Sequence, residues 1–476
     1  MSYKYRVMAV YISGLFMTII DGTIVNVALP TLAKDFGVPS TDVEWIAIAY
    51  LLAFAGIIPA AGWLGDRFGS RKMFIVSLVL FVLGSVLCGI STGLTMLVVM
   101  RVFQGLGAGL ITPIGSAMLF KAFPLEERST ATIGVMSVAV IAPAIGPVLG
   151  GVIVDNTSWR WIFLVNLPVG VIALALALRW LREEPGSDPG RFDLPGLVLS
   201  ATSVPLLIYA LSTGAERGWL SPITLVAGVL GVVCLVALIV HELRVRQPML
   251  HLDLFRDRLF RTINIAGALL YSGFFGWIFV LPLYMQTLRG FSATTSGLVQ
   301  MPQAIAIFLV SNLLGRRVYR TVGPRRLLVV GTLATTLATG VFFFANLDTP
   351  LWMIAAGSFA RGASIGLVFI SIQTAVYATV PLPRMGRATS LFNTQRQFAY
   401  ACGIAVAATV LSVQLTSAGG DTAPAIDRVG AYQWAFLSMA VLMVPAIFVS
   451  MRVVDDDAAA TRGIVPARDV AAAPGH

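Results

Sequence analysis

The stretch LTMLVVMRVFQGLGAGLITPIGSAM, residues 94–118, carries a single charge, Arg101, in otherwise apolar surroundings. At 1.5 Å of rise per residue, a helix of this length crosses the roughly 30 Å hydrocarbon core of a bilayer. A second such run, over 8–29, carries Asp21. A charge at bilayer depth costs about 3 kcal/mol or more. Such a residue therefore faces a protein interior or a water-filled cavity, where it handles protons, ions or substrate.

Similar runs recur from end to end. Hydrophobic residues make up 57% of the 476 positions and charged residues 12%, against about half and about a quarter in soluble chains. The expected fold class is an all-α polytopic membrane protein, since the short alternating strands of a barrel are absent. The hydropathy pattern predicts fourteen spans, from 8–29 to 432–449, with the fifth over 132–154, the seventh and eighth over 194–211 and 223–240, and the thirteenth over 398–415. The first span resembles a signal peptide, but its apolar run is too long and it contains Asp21, so it reads as an uncleaved helix.

The net charge of +10 is explained by topology. Of the 33 Lys and Arg residues, only Lys34, Arg160, Arg217, Arg289 and Arg428 fall on one side, and Arg101 and Arg361 fall within spans. The remainder, Arg384, Arg387 and Arg396 among them, collect on the other side. By the positive-inside rule that side and both termini are cytoplasmic, in the plasma (inner) membrane, and no nucleic-acid partner is implied. Cys88, Cys234 and Cys402 are far apart, and His241, His251 and His476 lack ligand spacing, so neither a disulfide framework nor a metal site is indicated. No cofactor is expected. No spaced nucleophile or phosphate loop suggests an enzyme.

The two halves echo each other. MRVFQGLGAG (100–109) is answered by ARGASIG (360–366), Pro124 to Arg128 by Pro381 to Arg387, and the turn at 64–72 by 314–326. The offsets are all near 260 residues. Six spans therefore repeat as six, as in many transporters. The expected units are 1–185 and 259–453, with a linker at 186–258 holding spans seven and eight, and a disordered tail at 454–476.

Depth follows from helix rise. Asp21 lies eight residues, roughly 12 Å, from the outer end of its span, and Arg101 seven residues, roughly 10 Å, from the same face. The two share a level. Desolvation favours the protonated form of a carboxyl group and a nearby guanidinium the ionised form, so movement of Arg101 would load and unload a proton on Asp21. Arg361 sits near the midplane with no carboxylate in any second-half span, and is read either as a substrate contact or as a structural bond within its own half.

Gly62, Asp66, Arg67, Gly69 and Arg71 in GWLGDRFGSRK (62–72) form a candidate conformational switch. Gly69 permits a tight turn, and Asp66 can sit against a helix N-terminus or a neighbouring Arg. In APAIGPVLGG (142–151), Gly146 and Gly150 offer a small face for close helix approach, with Pro147 favouring a bend and Gly151 extending the run. Candidate cavity walls are Asn26, Tyr50, Tyr271, Phe274, Phe275, Gln303, Phe369, Gln373, Asn393 and Gln397, with Arg361.

These motifs resemble those of the major facilitator superfamily, specifically its fourteen-span drug/proton antiporters. The similar segments are IDGTIVNVALP (20–30), the turn at 62–72, Arg101 to Gly109, Gly146-Pro147 with Gly150-Gly151, WRWIF (159–163) with Asn166-Leu167-Pro168, and Leu281 to Gly290. The resemblance implies two six-helix bundles plus two extra helices, working by alternating access as a monomer. It implies export of small lipophilic compounds against proton inflow, with Asp21 tied to protonation and Arg101 to coupling. Membrane lipids are the expected surroundings. Export of a lipid or cell-envelope amphiphile, or a non-transporting receptor or scaffold, are the competing expectations. Some relatives that move cationic drugs carry further acidic residues in later spans. None is present here, which argues against dications. One pH unit is worth roughly 1.4 kcal/mol and 100 mV roughly 2.3 kcal/mol per charge. A single titrating site therefore drives neutral or zwitterionic substrates better than cations.

Overall fold

The structure, a computed structural model, describes residues 2–38, 40–183, 190–218, 220–245, 248–419 and 423–462. The side chains of Asn26 and Pro147, and the tail beyond residue 462, lie outside the described residues. The first half comprises α1 (Tyr3–Phe36), α2 (Ser40–Ile57), α3 (Ala60–Phe68), α4 (Ser70–Gly89), α5 (Leu94–Ala122), α6 (Arg128–Asn156), α7 (Trp161–Leu164) and α8 (Asn166–Trp180). Two helices follow, α9 (Leu194–Arg217) and α10 (Pro222–Arg244). The second half comprises α11 (Arg258–Leu283), α12 (Ala293–Leu309), α13 (Arg316–Val322), α14 (Pro324–Gly340), α15 (Leu351–Ala375), α16 (Met385–Ser417), α17 (Ala425–Ser450) and the short α18 (Ala459–Arg462).

Local chemistry sets the boundaries. Gly37 closes α1 in the left-handed region, its N–H reaching the Ala33 and Lys34 carbonyls. Asp193, Ser221 and Asp257 cap α9, α10 and α11 by accepting from Gly196, Thr224 and Phe260 N–H groups. Pro59 marks the 58° bend between α2 and α3. Among the described residues, eleven segments are long and apolar enough to cross a membrane, or twelve if the bent pair is one span.

Pairing between helices repeats. α1 packs on α2, α5, α6 and α8, while α4 packs on α5 and α8, and α2 on α5. In the same relative order, α11 packs on α12, α15, α16 and α17, while α14 packs on α15 and α17, and α12 on α15. The two helices between the halves behave differently. α10 packs on α9, and α9 packs on both α2 and α16, touching one helix of each half. Trp45 of α2 stacks on Tyr209 of α9 with ring centroids 5.8 Å apart.

The tail expected to be disordered from residue 454 is helical at Asp455–Ala458 and Ala459–Arg462. Ala458 and Ala459 are buried, and Thr461 and Tyr319 share a 2.7 Å hydrogen bond. The hydrophilic composition of 455–457 hid this, because Asp455 is used as an acceptor for the Arg325 backbone N–H at the start of α14.

α1 and α6 cross at glycine. A Cβ on Gly146 would stand 3.0 Å from Thr23 Cβ and closer still to Thr23 Oγ1, and one on Gly150 would stand 2.9 Å from Ile24 Cγ1. Gly151 meets nothing within 4 Å, so the close seam involves only the first two. Gly146→Ala is therefore expected to cost about 1–3 kcal/mol through overpacking, read as a lower melting temperature in detergent. Thr23→Ala in the same chain should recover part of it. Unchanged melting in the single variant would show that the helices part freely here.

Candidate functional site

Asp21 and Arg101, expected at one level, form a buried ion pair. Arg101 Nη1 lies 2.5 Å from Asp21 Oδ2, and the two residues are 1% and 0% exposed. Arg101 donates further, from Nε to the Ile46 carbonyl at 3.1 Å and from Nη1 to Gln104 Oε1 at 2.8 Å. Its guanidinium carbon stands 4.0 Å from the centroid of the Tyr50 ring. Two of its contacts thus lie on α2, one on α1 and one on its own helix.

Asp21 is equally well supplied with donors. Gln104 Nε2 donates to Oδ1 at 2.8 Å and Asn166 Nδ2 donates to Oδ1 at 3.1 Å. Both amides also donate to Ser85 Oγ, at 3.0 and 3.1 Å, and Ser85 donates to the Phe163 carbonyl at 2.8 Å. Six helical elements, α1, α2, α4, α5, α7 and α8, meet in one dry network, in which low dielectric strengthens each bond. Gln104, Ser85 and Asn166 do not stand out by depth arithmetic. Their signal is spacing: Gln104 is one turn from Arg101, and Ser85 is three residues before Cys88, which itself contacts Gln104.

The second half builds the same arginine into the same positions without an acid. Arg361 on α15 donates to Phe274 O on α11 at 3.1 Å, Gln303 Oε1 on α12 at 2.7 Å and Thr339 Oγ1 on α14 at 3.0 Å. It stacks 4.0 Å from the Trp277 ring centroid and is fully buried. Phe274 and Trp277 occupy the region of α11 that corresponds to Asp21 on α1. Gln303, considered above as a cavity wall, is here a partner of Arg361, as Tyr50 is of Arg101.

The halves meet at the end of the bundle that holds Lys4, which pairs with Glu127. Asp66 accepts from Arg387 Nε at 3.0 Å across the two halves, and Ser390 donates to the Ile58 and Pro59 carbonyls at 2.7 and 3.0 Å. Gly62 allows this approach, since a Cβ there would stand 3.1 Å from Arg387 Cα and Gly386 O. Arg128 donates to the Tyr377 carbonyl at 2.7 Å. Burial, and then the Arg387 guanidinium, push the His251 imidazole down to about 4, so it stays neutral and accepts from Arg387 Nη1 at 2.5 Å. Within the turn itself, Gly69 adopts φ 86°, Arg67 is exposed, and Arg71 binds Glu183 at 2.9 Å and the Leu178 carbonyl at 3.1 Å. Asp66→Asn is expected to loosen this latch. A cysteine placed at Asn393 should then react severalfold faster with an impermeant thiol reagent supplied from the Lys4 side; an unchanged rate would mean that other contacts hold the halves shut.

Just inside the latch is a cavity of about 20 Å³, where Tyr11 and Ser116 of the first half face Gln373, Tyr377, Asn393 and Arg396 of the second. Beside it, Tyr271, Phe274, Phe275 and Phe369 form one aromatic cluster. The Tyr271–Phe369 and Phe274–Phe369 centroids are 5.4 and 5.1 Å apart, and Phe392 joins this cluster to Tyr377. Gln397 is half-buried on α16, outside the cavity lining. Arg396 requires a correction. The hydropathy pattern puts the thirteenth span at 398–415 and Arg396 among the basic loops, whereas α16 starts at Met385 and carries Arg396 roughly 16 Å along its axis.

Packed helices repeated about a central cavity, with a sealed ion pair in one repeat, define a multi-pass membrane transporter. The sequence profile of the Major Facilitator Superfamily matches residues 11–404, and the chain belongs to that family, whose members are transporters rather than enzymes. It is 32% identical to the putative multidrug resistance protein MdtD of Escherichia coli O9:H4 (strain HS), covering 93% of each chain. It is also 32% identical to the multidrug resistance protein Stp of Mycobacterium tuberculosis (strain CDC 1551 / Oshkosh), over 85% of this chain and 75% of the relative. The fold is similar to that of the human organic anion transporter TETRAN, with a TM-score of 0.68 at 15% identity over 94% of this chain and all of that one. The proton:xylose symporter XylE superposes with a TM-score of 0.61 at 14% identity, over 93% and 95%.

Proposed function

We propose that this chain is a fourteen-span, proton-coupled exporter of small lipophilic compounds that works by alternating access as a monomer. The six-span bundles are 1–185 and 259–453, α9 and α10 being spans seven and eight, and both termini face the cytoplasm from the inner membrane. The observation that carries the reading is the Asp21–Arg101 pair, an acid held in a dry site by a partner that is anchored to a different helix. The naming of MdtD and Stp for multidrug resistance supports the substrate class.

In this conformation Asp21 accepts from Arg101, Gln104 and Asn166. Proton uptake needs Arg101 to withdraw. Its other holds, the Ile46 carbonyl and the Tyr50 ring, are on α2. Across the bend at Pro59, α2 continues into α3, which carries Asp66 and meets Arg387 of the second half. Parting of the halves at the latch would pull on α3, shift α2 and draw Arg101 off Asp21. Gate opening and proton affinity thereby become one equilibrium, in which each site biases the other.

The test is proteoliposomes with entrapped pyranine, challenged with a panel of lipophilic compounds. Compounds that cross should drive proton movement in the opposite direction, and an imposed pH difference should drive the compounds. Compound movement with a flat pyranine trace would remove proton coupling from the mechanism.

A further inference from the structure

Charged side chains inside the bundle have partners: Asp21 has Arg101, Asp66 has Arg387, Arg361 has two side-chain oxygens and a carbonyl, and Arg128 has the Tyr377 carbonyl. Arg396 differs. Its guanidinium has no hydrogen bond or ion pair among the described residues, and it lines the cavity between the halves. No carboxylate shares that lining, whose other polar groups are the hydroxyls of Tyr11, Ser116, Thr132 and Tyr377 and the amides of Gln373 and Asn393. Electrostatically, Arg396 acts on Tyr11, Tyr271 and Tyr377. A half-buried cation with no counter-charge gives up part of its hydration and gains no ion pair in return. The arrangement makes sense if the counter-charge visits.

We propose that Arg396 makes the central cavity a site for lipophilic anions, in which a carboxylate meets the guanidinium and an apolar body lies along the Tyr271–Phe369 aromatic cluster. A carboxylate can engage both nitrogens of the guanidinium fork, while the polar amides and hydroxyls of the lining serve its remaining lone pairs. Organic cations are repelled by the same group. At about 20 Å³ the closed cavity has room for roughly one water, so the ligand enters only when the latch parts. This inference names the substrate class of the exporter proposed above and rests on that reading. It also suits the single acid of the coupling site. When an anion leaves as a proton enters, the anion's own charge adds a driving force of roughly 50-fold per 100 mV.

The experiment is equilibrium binding in detergent, with no gradient and no transport, so that it stands apart from the coupling assay. The probe is dansyl-leucine, with an ionised carboxylate near neutral pH, compared with its uncharged methyl ester. Wild-type protein should bind the acid roughly tenfold to hundredfold more tightly, the worth of a hydrogen bond to a charged group. Arg396→Gln should erase that preference with little change for the ester, and Arg396→Lys should keep part of it. Added phosphatidylglycerol distinguishes the source of the anion: if it displaces the dye at low concentration while phosphatidylcholine does not, the same site takes a lipid headgroup. Equal binding of acid and ester by the wild type, or an acid preference that survives in Arg396→Gln, overturns the proposal. The wild-type comparison holds even if a variant fails to fold.

Discussion

Asp21→Asn is expected to abolish concentrative transport while leaving a folded protein that still equilibrates its substrate. A gradient of one pH unit with 100 mV is worth about 3.7 kcal/mol to the exchange of one proton for a neutral molecule, or on the order of 500-fold accumulation. Without a group that takes and releases the proton, that ratio falls to about one. The fold should survive because the second half already demonstrates how this family of helices holds an arginine with no acid. Arg361 is satisfied by a carbonyl, an amide oxygen, a hydroxyl and two aromatic rings. Arg101 would retain the Ile46 carbonyl, Gln104 Oε1 and the Tyr50 ring. Counterflow of labelled substrate in proteoliposomes separates the two functions; gradient-driven accumulation that persists in Asp21→Asn would remove Asp21 from the coupling.

The second large effect is on stability, and it is lopsided. Arg101→Met leaves the Asp21 carboxylate fully buried with only two amide donors. Breaking a buried pair from one side costs about 3–5 kcal/mol, so the single variant should melt far below the wild type or fail to accumulate in the membrane. Replacing both partners removes the stranded charge. Asp21→Asn with Arg101→Met should therefore be more stable than Arg101→Met alone, with a coupling energy of roughly 2 kcal/mol or more in the double-mutant cycle. Additive losses would mean that the pair carries little of the local stability and that Gln104, Ser85 and Asn166 hold the helices together unaided.

The meeting of Asp21 with Arg101 was readable from one dimension, because helix rise converts position in a span into depth. The arginine-centred repeat was readable for a similar reason: Arg101 and Arg361 recur at one offset and are rare within spans. Lateral neighbours are another matter. Ser85 and Asn166 become meaningful only when α8 is packed against α1 and α4 against α5 and α8, and depth alone does not say which helices are adjacent. The Asp66–Arg387 contact joins positions 321 residues apart with no local signal. Arg396 was misplaced because hydropathy finds the greasiest window of a helix rather than its start. α16 runs for 33 residues, and its first half, with Asn393, Gln395, Arg396 and Gln397, is polar enough to read as loop.

α9 has a further implication. A molecule already dissolved in the bilayer could in principle slip sideways between the bundles along either flank of the transporter. On the flank formed by α2 and α16 it would find α9 standing as a shutter, with α10 behind it. Side-door traffic is therefore steered to the opposite flank, between α6 and α12, and the protein acquires a handedness towards its lipid surroundings that a bare pair of bundles would lack.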